Sequence, residues 1–293
     1  MERLLRAHTG ANQITIRQPL LETQLEVELA RHLRPDDPRK NQSKTDALEN
    51  AGVFEWLRTI FPFAFEEDFS ADHRAFWELY WSVLMRIRKQ RECLAKNLPI
   101  PEEFLIEDKE FVILLVLGRG LGKSATIEAS AVMRGAILSG GYCLYVCESQ
   151  DQSDEHIQNC KALIEHSESR LLDYYPEMEI LENATIQGIK TKDRQDLFIT
   201  SNGWICRSKG LNSKLRGIRL GNRRPDDIIL DDVDDVDDSP AVSLKKLKKI
   251  TASVIPTQAR RHVTIKFGQN LIAENSVMNQ ILTGKQDALA ERT

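Results

Sequence analysis

Cysteine spacing suited to a metal or redox site is missing from this chain. Its 293 residues include five cysteines, Cys93, Cys143, Cys147, Cys160 and Cys206, with no C-x-x-C pair, and its six histidines are scattered. A structural zinc site needs four nitrogen or sulfur ligands at matched spacing, so that class is excluded and reduced core thiols are expected. Cys143 and Cys147, in "GYCLYVCES", lie four apart on a predicted strand and so share a face. Long apolar runs are absent too: nothing approaches the roughly 18 residues that begin to span a bilayer. The start "MERLLRAHTGANQ" lacks the apolar core of a signal peptide. These absences predict a soluble cytoplasmic protein with no membrane partner.

Hydrophobic residues make up 41% and charged residues 29%, which suits a globular chain with a sizeable core, as one large domain or two modest ones. The net charge of −4 is unevenly distributed: "DDIILDDVDDVDD" (226–238) holds eight Asp and no base, and without them the remainder is +4. Overall acidity therefore does not exclude a nucleic-acid partner; the placement of the bases decides.

Residues 1–50 read as an N-terminal helical and linker region, in which "LLETQLEVELARHL" has helical periodicity and "RPDDPRKNQSK" is a linker. Residues 51–285 read as the main domain, with a helical lead-in at 53–98, a cap at Ser70 and the core sheet from 111. "FVILLVL" (111–117) is a continuous apolar run of the kind buried on both faces in a parallel sheet. A helix follows from "GKSATIEASAVMRGAIL", then a strand from "GYCLYVCES" and a helix from "SDEHIQNCKALIEHS" with Ser153 as its cap. "DLFITSNGWICRSKG" predicts a hairpin turning at Asn202-Gly203; "DIILDD" and "HVTIKFG" (262–268) predict buried strands. Alternation of strand and helix predicts an α/β fold with a mainly parallel sheet flanked by helices.

"LGRGLGKSA" sits where a strand ends and a helix opens. That context sets free backbone N–H groups and the positive helix end against one point, which suits phosphate. Gly118, Gly120 and Gly122, with Leu121 between them, let the backbone approach phosphate closely. Lys123 would reach the β and γ phosphates of ATP, Ser124 would hold Mg²⁺ through its hydroxyl, and Arg119 adds a cation at the γ-phosphate. The usual first Gly of such a loop is replaced by Leu117.

A nucleotide-hydrolysing site also needs carboxylates from a second strand, and "IILDDVDD" supplies them. Asp231 is the better candidate for the metal and Asp232 for the attacking water, with Asp234 as fallback. The later acids, Asp235, Asp237 and Asp238, read as a solvated loop before Pro240. Three uses fit the arginines of "KLRGIRLGNRRPD": a finger acting on a neighbouring subunit's γ-phosphate, with Arg216 the first choice, contact with DNA phosphate, or a solvated group pairing with the Asp run. "SLKKLKKI" (243–250) is a DNA contact or a solvated helix face. Gln269 and Asn270, at a strand end, are γ-phosphate sensors or an ordinary loop.

Together, "GRGLGKSA", "YCLYVCESQDQSDEHIQNCKALIE", the stretch from "DLFITSNGWICRSKG" through "RRPDDIILDDVDD", and "IKFGQNLIAENSVMNQIL" resemble the large terminase subunit of tailed bacteriophages over about 55–285. The family often has Thr where Gln269 stands. The resemblance implies an ATPase of the additional-strand P-loop class, using ATP and Mg²⁺. It implies a homo-oligomeric ring on the portal vertex, driving double-stranded viral DNA into a procapsid in the host cytoplasm, with the portal protein and small terminase subunit as partners. The family usually carries a second, RNase H-like nuclease domain; residues 286–293 read as a tail toward such a domain, and no nuclease activity is expected from these 293 residues. The rivals are another DNA-translocating P-loop ATPase, such as a helicase, and a nucleotide-dependent DNA-binding switch that does not hydrolyse.

Overall fold

Four stretches rich in β-branched and aromatic residues build one six-stranded sheet together with the expected hairpin. In the computed structural model, the described residues are 42–106, 110–118, 120–186, 189–190, 194–213, 218–235, 237–270, 274 and 276–283. The expected helix and linker within 1–41, Arg119, Arg216 and the tail 286–293 lie outside them.

Helices α1 (Gln42–Ala51), α2 (Val53–Ile60) and α3 (Ala71–Ala95) lead in. The last three residues of the stretch read as a linker, 42–44, already belong to α1. Ser70 caps α3 as expected, its hydroxyl accepting from the His73 N–H. Strand β1 (Glu110–Val116) runs into α4 (Lys123–Ile137), β2 (Tyr142–Cys147) and α5 (Gln150–Glu165). The cap of α5 is Ser149 rather than Ser153: Ser149 and Gln152 form a reciprocal capping box, and Ser153 lies inside the helix, donating to the Ser149 and Gln150 carbonyls. A one-turn α6 (Leu171–Tyr174) and the two-residue strands β3 (Thr185–Ile186) and β4 (Ile189–Lys190) follow. The predicted hairpin is present as β5 (Leu197–Ile199) and β6 (Ile205–Gly210), with Gly203 at a positive φ of 81° in its turn. Then come β7 (Asp227–Asp231), α7 (Pro240–Lys249), β8 (Val263–Gln269) and α8 (Val277–Thr283).

The sheet order is β1-β8-β7-β2-β6-β5, parallel throughout except for the β5–β6 hairpin. This is an α/β fold with a mostly parallel sheet covered on both faces. Strand periodicity divides β2 between two cores. Cys143, Tyr145 and Cys147 face a layer that includes α2 through α5, whereas Tyr142, Leu144 and Val146 face α7, α8 and the segment 250–255. All five cysteines are buried and unpaired. The expectation that 111–117 is buried on both faces needs correction: β1 ends the sheet among the described residues, and Val112 is 38% exposed. With a neighbour on one side only, its burial alternates. No described helix is long and apolar enough to cross a membrane.

A buried ionic cluster fastens α3 and α4 to the middle of the sheet. Lys266 of β8 donates to Asp227 of β7 (3.0 Å), Ser130 Oγ of α4 (2.8 Å) and Tyr80 OH of α3 (3.1 Å). Asp227 also accepts from Thr264 Oγ1 at 2.6 Å, and neither Lys266 nor Asp227 is exposed. Removing one member of a buried pair leaves an uncompensated charge, whereas removing both removes the debt. Lys266→Met is expected to lower stability by about 3–5 kcal/mol. Adding Asp227→Leu should recover much of that loss; urea denaturation of both variants measures it.

Candidate active site

The loop after β1 and the ends of β7, β2 and β8 open into one cavity of about 390 Å³. Its lining includes Gly118, Gly120, Gly122, Lys123, Ser124 and Ala125 from the loop and first turn of α4. Facing them are Asp232, Asp234, Asp235, Glu148, Gln152 and Asn270. Gly122, the cap residue of α4, sits in the left-handed region at φ 72° and offers no side-chain cap. The first turn contains no acid. The positive helix end therefore faces the cavity with no cap or acid of its own, and the nearest acids stand on the opposite wall, which leaves room for an anion between them.

Lys123 joins this loop to the acidic strand. Its Nζ donates to Asp231 Oδ1 at 2.5 Å, Asp232 Oδ1 at 2.7 Å and the Gly268 carbonyl at 3.4 Å. Burial works against the ammonium, but the two carboxylates outweigh it and hold the Lys123 pKa above its ordinary value. Asp231 is fully buried while the Asp232 side chain is 38% exposed, so only the second reaches toward solvent. Asp232 has a φ of 46°, and its N–H donates to the Gly268 carbonyl. Aspartate tolerates this left-handed geometry better than most residues, and the turn aims its carboxylate across the strand end at Lys123. Glycine at 268 is a steric requirement: a Cβ there would lie 2.6 Å from Asp231 Oδ1.

The strand between β1 and β7 is β8, so Lys123 spans the end of one intervening strand to reach Asp231. Sequence reasoning paired the loop with the acids but gave no signal for what stands behind them. Tyr145 OH donates to Asp231 Oδ2 at 2.8 Å, and His156 Nε2 lies 3.8 Å from the same oxygen. His156 stacks on Tyr145 at 4.7 Å between centroids, and its Nδ1 bonds Glu128 Oε1 at 2.6 Å. Asn159 Nδ2 donates to that Glu128 oxygen at 2.8 Å. Burial, and then the Asp231 charge, push the Tyr145 hydroxyl well above its usual range, so it stays a donor. The helical spacing of Glu128 on α4 and of His156 and Asn159 on α5 carries no mark of this use.

The other expected residues are distributed unevenly. Asp234 spends its two oxygens on the N–H groups of Val277 and Met278, at 2.9 and 3.2 Å, at the start of α8. Burial raises its pKa against the pull of those N–H groups. Gln269 is buried, and its Oε1 accepts from the Val233 N–H at 2.9 Å, bracing the acidic loop, while its neighbour Asn270 lines the cavity. Leu121 is 56% exposed at the tip of the loop. Asp235 and Asp237 are exposed as expected, but Asp238 is an exception to a solvated loop: it pairs with the buried Lys246 of α7, which also holds Glu148 at 2.7 Å. Arg119 and Arg216 lie outside the described residues.

No family model matches the sequence. No curated protein matches it. Among solved structures, the chain is similar to a mutant form of the large terminase ATPase domain of Thermus phage P74-26, at TM-score 0.39 and 16% identity, covering 56% of this chain and 61% of that one. This chain therefore spans less than two thirds of that neighbour's length.

Tyr145→Phe removes the donor to a fully buried carboxylate oxygen and is expected to cost about 1–3 kcal/mol of stability. Combined with Asp231→Leu, it should cost clearly less than the sum of the single changes, because the two groups satisfy each other. A double-mutant cycle by urea denaturation reads that coupling.

Proposed function

We propose that this chain is a Mg²⁺-dependent ATPase of the additional-strand P-loop class, the motor domain of a viral DNA-packaging terminase. The observation that carries the chemistry is the contact of Lys123, at the uncapped start of α4, with Asp231 and Asp232 across the end of β8. A strand lying between the loop strand and the acidic strand is what the additional-strand class requires.

The residues present suit a nucleotide. The N–H groups at the start of α4 and the Lys123 ammonium bind the polyphosphate; on binding, Lys123 exchanges carboxylate oxygens for phosphate oxygens. Oxygen donors of the kind a hard cation prefers are Ser124, which lines the cavity, and Asp231, which is buried behind the lining with its Oδ1 on Lys123 and would be freed when that ammonium turns to phosphate. Mg²⁺ usually takes one or two carboxylates together with substrate phosphates, so no all-protein cage would be needed. When bound, the ion neutralises charge on the phosphates. Tyr145 keeps Asp231 oriented through its second oxygen. Asp232, released from Lys123, orients the attacking water and accepts its proton. Packaging of double-stranded DNA, the portal and small-subunit partners and the homo-oligomeric ring belong to the terminase reading and rest on the sequence resemblance. So does the role of Arg119 in cis and of Arg216 in trans.

The test is nucleotide binding and ATP turnover, with and without duplex DNA, in the unaltered protein, Lys123→Ala and Asp232→Asn. Lys123→Ala should weaken nucleotide binding by about 10- to 100-fold, the worth of a charge-assisted contact. Asp232→Asn should bind nucleotide and lose turnover by about 10²- to 10⁴-fold. Equal turnover in all three proteins would sink the site assignment.

A further inference from the structure

Two loops at the end of the sheet opposite the cavity concentrate positive charge that the proposed chemistry does not use. Residues 218–225 lead into β7 and residues 255–262 into β8. They contain Arg219, Arg223, Arg224, Arg260 and Arg261, and neither contains an acid. The loops are tied together: Ala259 N–H donates to the Pro225 carbonyl at 2.7 Å, and Arg224 Nη1 to the Pro256 carbonyl at 3.3 Å. From them to the cavity runs the length of β8, seven residues, or about 20 Å at the usual rise per residue.

We infer that these loops form a docking surface for the sugar–phosphate backbone of duplex nucleic acid, held by Arg219, Arg224, Arg260 and Arg261. All four are exposed, and none forms an ion pair among the described residues. Of the two adjacent acids, one is turned inward and the other lies against the second loop. Asp226 is held by Arg91 at 3.1 Å, Arg134 at 3.4 Å and the Tyr142 N–H at 2.7 Å. Glu110 accepts from Gln258 of the second loop at 2.6 Å, a single carboxylate against the four exposed guanidinium groups. Burial first, then Arg91 and Arg134 and only after them Arg261, depress the His262 pKa to about 4, so this imidazole is neutral and the surface charge is that of the guanidinium groups. A protein partner would be met by aromatic or apolar anchors. Here Ile218, Leu220 and Ile255 are buried, and no large hydrophobic residue of either loop is exposed. Guanidinium forks match phosphate oxygens in pairs. Neither loop presents a helix or ribbon for a groove, so contact is with the backbone and independent of base sequence. The surface deepens the DNA-motor reading by placing the duplex, and its test does not depend on ATP turnover.

The experiment measures the anisotropy of a labelled duplex against salt for the full chain and for the triple variants Arg224→Gln/Arg260→Gln/Arg261→Gln and Arg224→Lys/Arg260→Lys/Arg261→Lys, with nucleotide binding followed in parallel. The Gln variant should weaken binding equally on unrelated duplexes and flatten the salt slope by about 2–3, near 0.9 per lost phosphate contact. The Lys variant should keep most of the slope, and nucleotide affinity should be unchanged in both. An unchanged slope in the Gln variant overturns the inference. So does an unaltered protein that ignores duplex, and one that binds polyglutamate in its place assigns the surface to an acidic protein. Loss of nucleotide binding in the unaltered protein would sink the ATPase reading and leave this surface standing.

Discussion

The site depends on one buried contact, between the Lys123 ammonium and Asp231. It joins the glycine-rich turn that opens α4 to the acidic end of β7, and it crosses β8 to do so. A charge pair with a fully buried acid is worth keeping only if both partners are otherwise satisfied. The surroundings supply this. Tyr145 takes the second Asp231 oxygen, the Gly268 carbonyl takes part of the ammonium, and the missing side chain at 268 lets β8 pass close to Asp231. Stability of the strand ends and readiness for an anion thus come from the same groups. An arriving polyphosphate would compete with the carboxylates for Lys123, and Asp231 would keep its hydroxyl partner while that exchange took place.

The neighbouring acids show how eight aspartates in thirteen residues are tolerated. They are dispersed among unlike partners. Asp226 faces Arg91 and Arg134, Asp227 faces Lys266, Asp231 and Asp232 share Lys123, Asp234 takes helix N–H groups, and Asp238 takes Lys246. Asp235 and Asp237 remain exposed to solvent. Like-charge repulsion is relieved by separate counter-charges and donors, and only the pair at the strand end opens onto the cavity with a shared cation.

Much of this was legible in the chain because strong patterns carried it. The apolar runs of β2, β7 and β8 give three of the four central strands, Asn202-Gly203 gives the hairpin, and Gly-Lys-Ser after an apolar run gives the start of α4. What stayed hidden depended on lateral neighbours, which a one-dimensional pattern does not contain. The run 111–117 looks as central as "IKFG", yet β1 has a partner on one side only. Ser153 and Ser149 are equally good caps by composition, and Gln152 decides for Ser149 by closing the capping box. Gln269 and Asn270 are adjacent amides at one strand end, but strand alternation turns the first into the acidic loop and the second into the cavity.

The residues behind Asp231 mark the same limit at the level of chemistry. Glu128, Tyr145, His156 and Asn159 come from a helix, a strand and a second helix, and each reads alone as amphipathic filler. Only the packing of α4 and α5 over one face of β2 draws them into a line that ends on a carboxylate oxygen. Burial then gives the line its effect. The His156 imidazole would lose its charge to desolvation, but Glu128, then Asp231, raise its pKa above the usual value. A second cation is thereby favoured beside an acid that already faces Lys123. Asp231 is thus compensated from both of its oxygens, and under the proposed function a turn of Lys123 to phosphate would leave the carboxylate its donors on the far side. That asymmetry would let one end of the contact move while the other stays fixed.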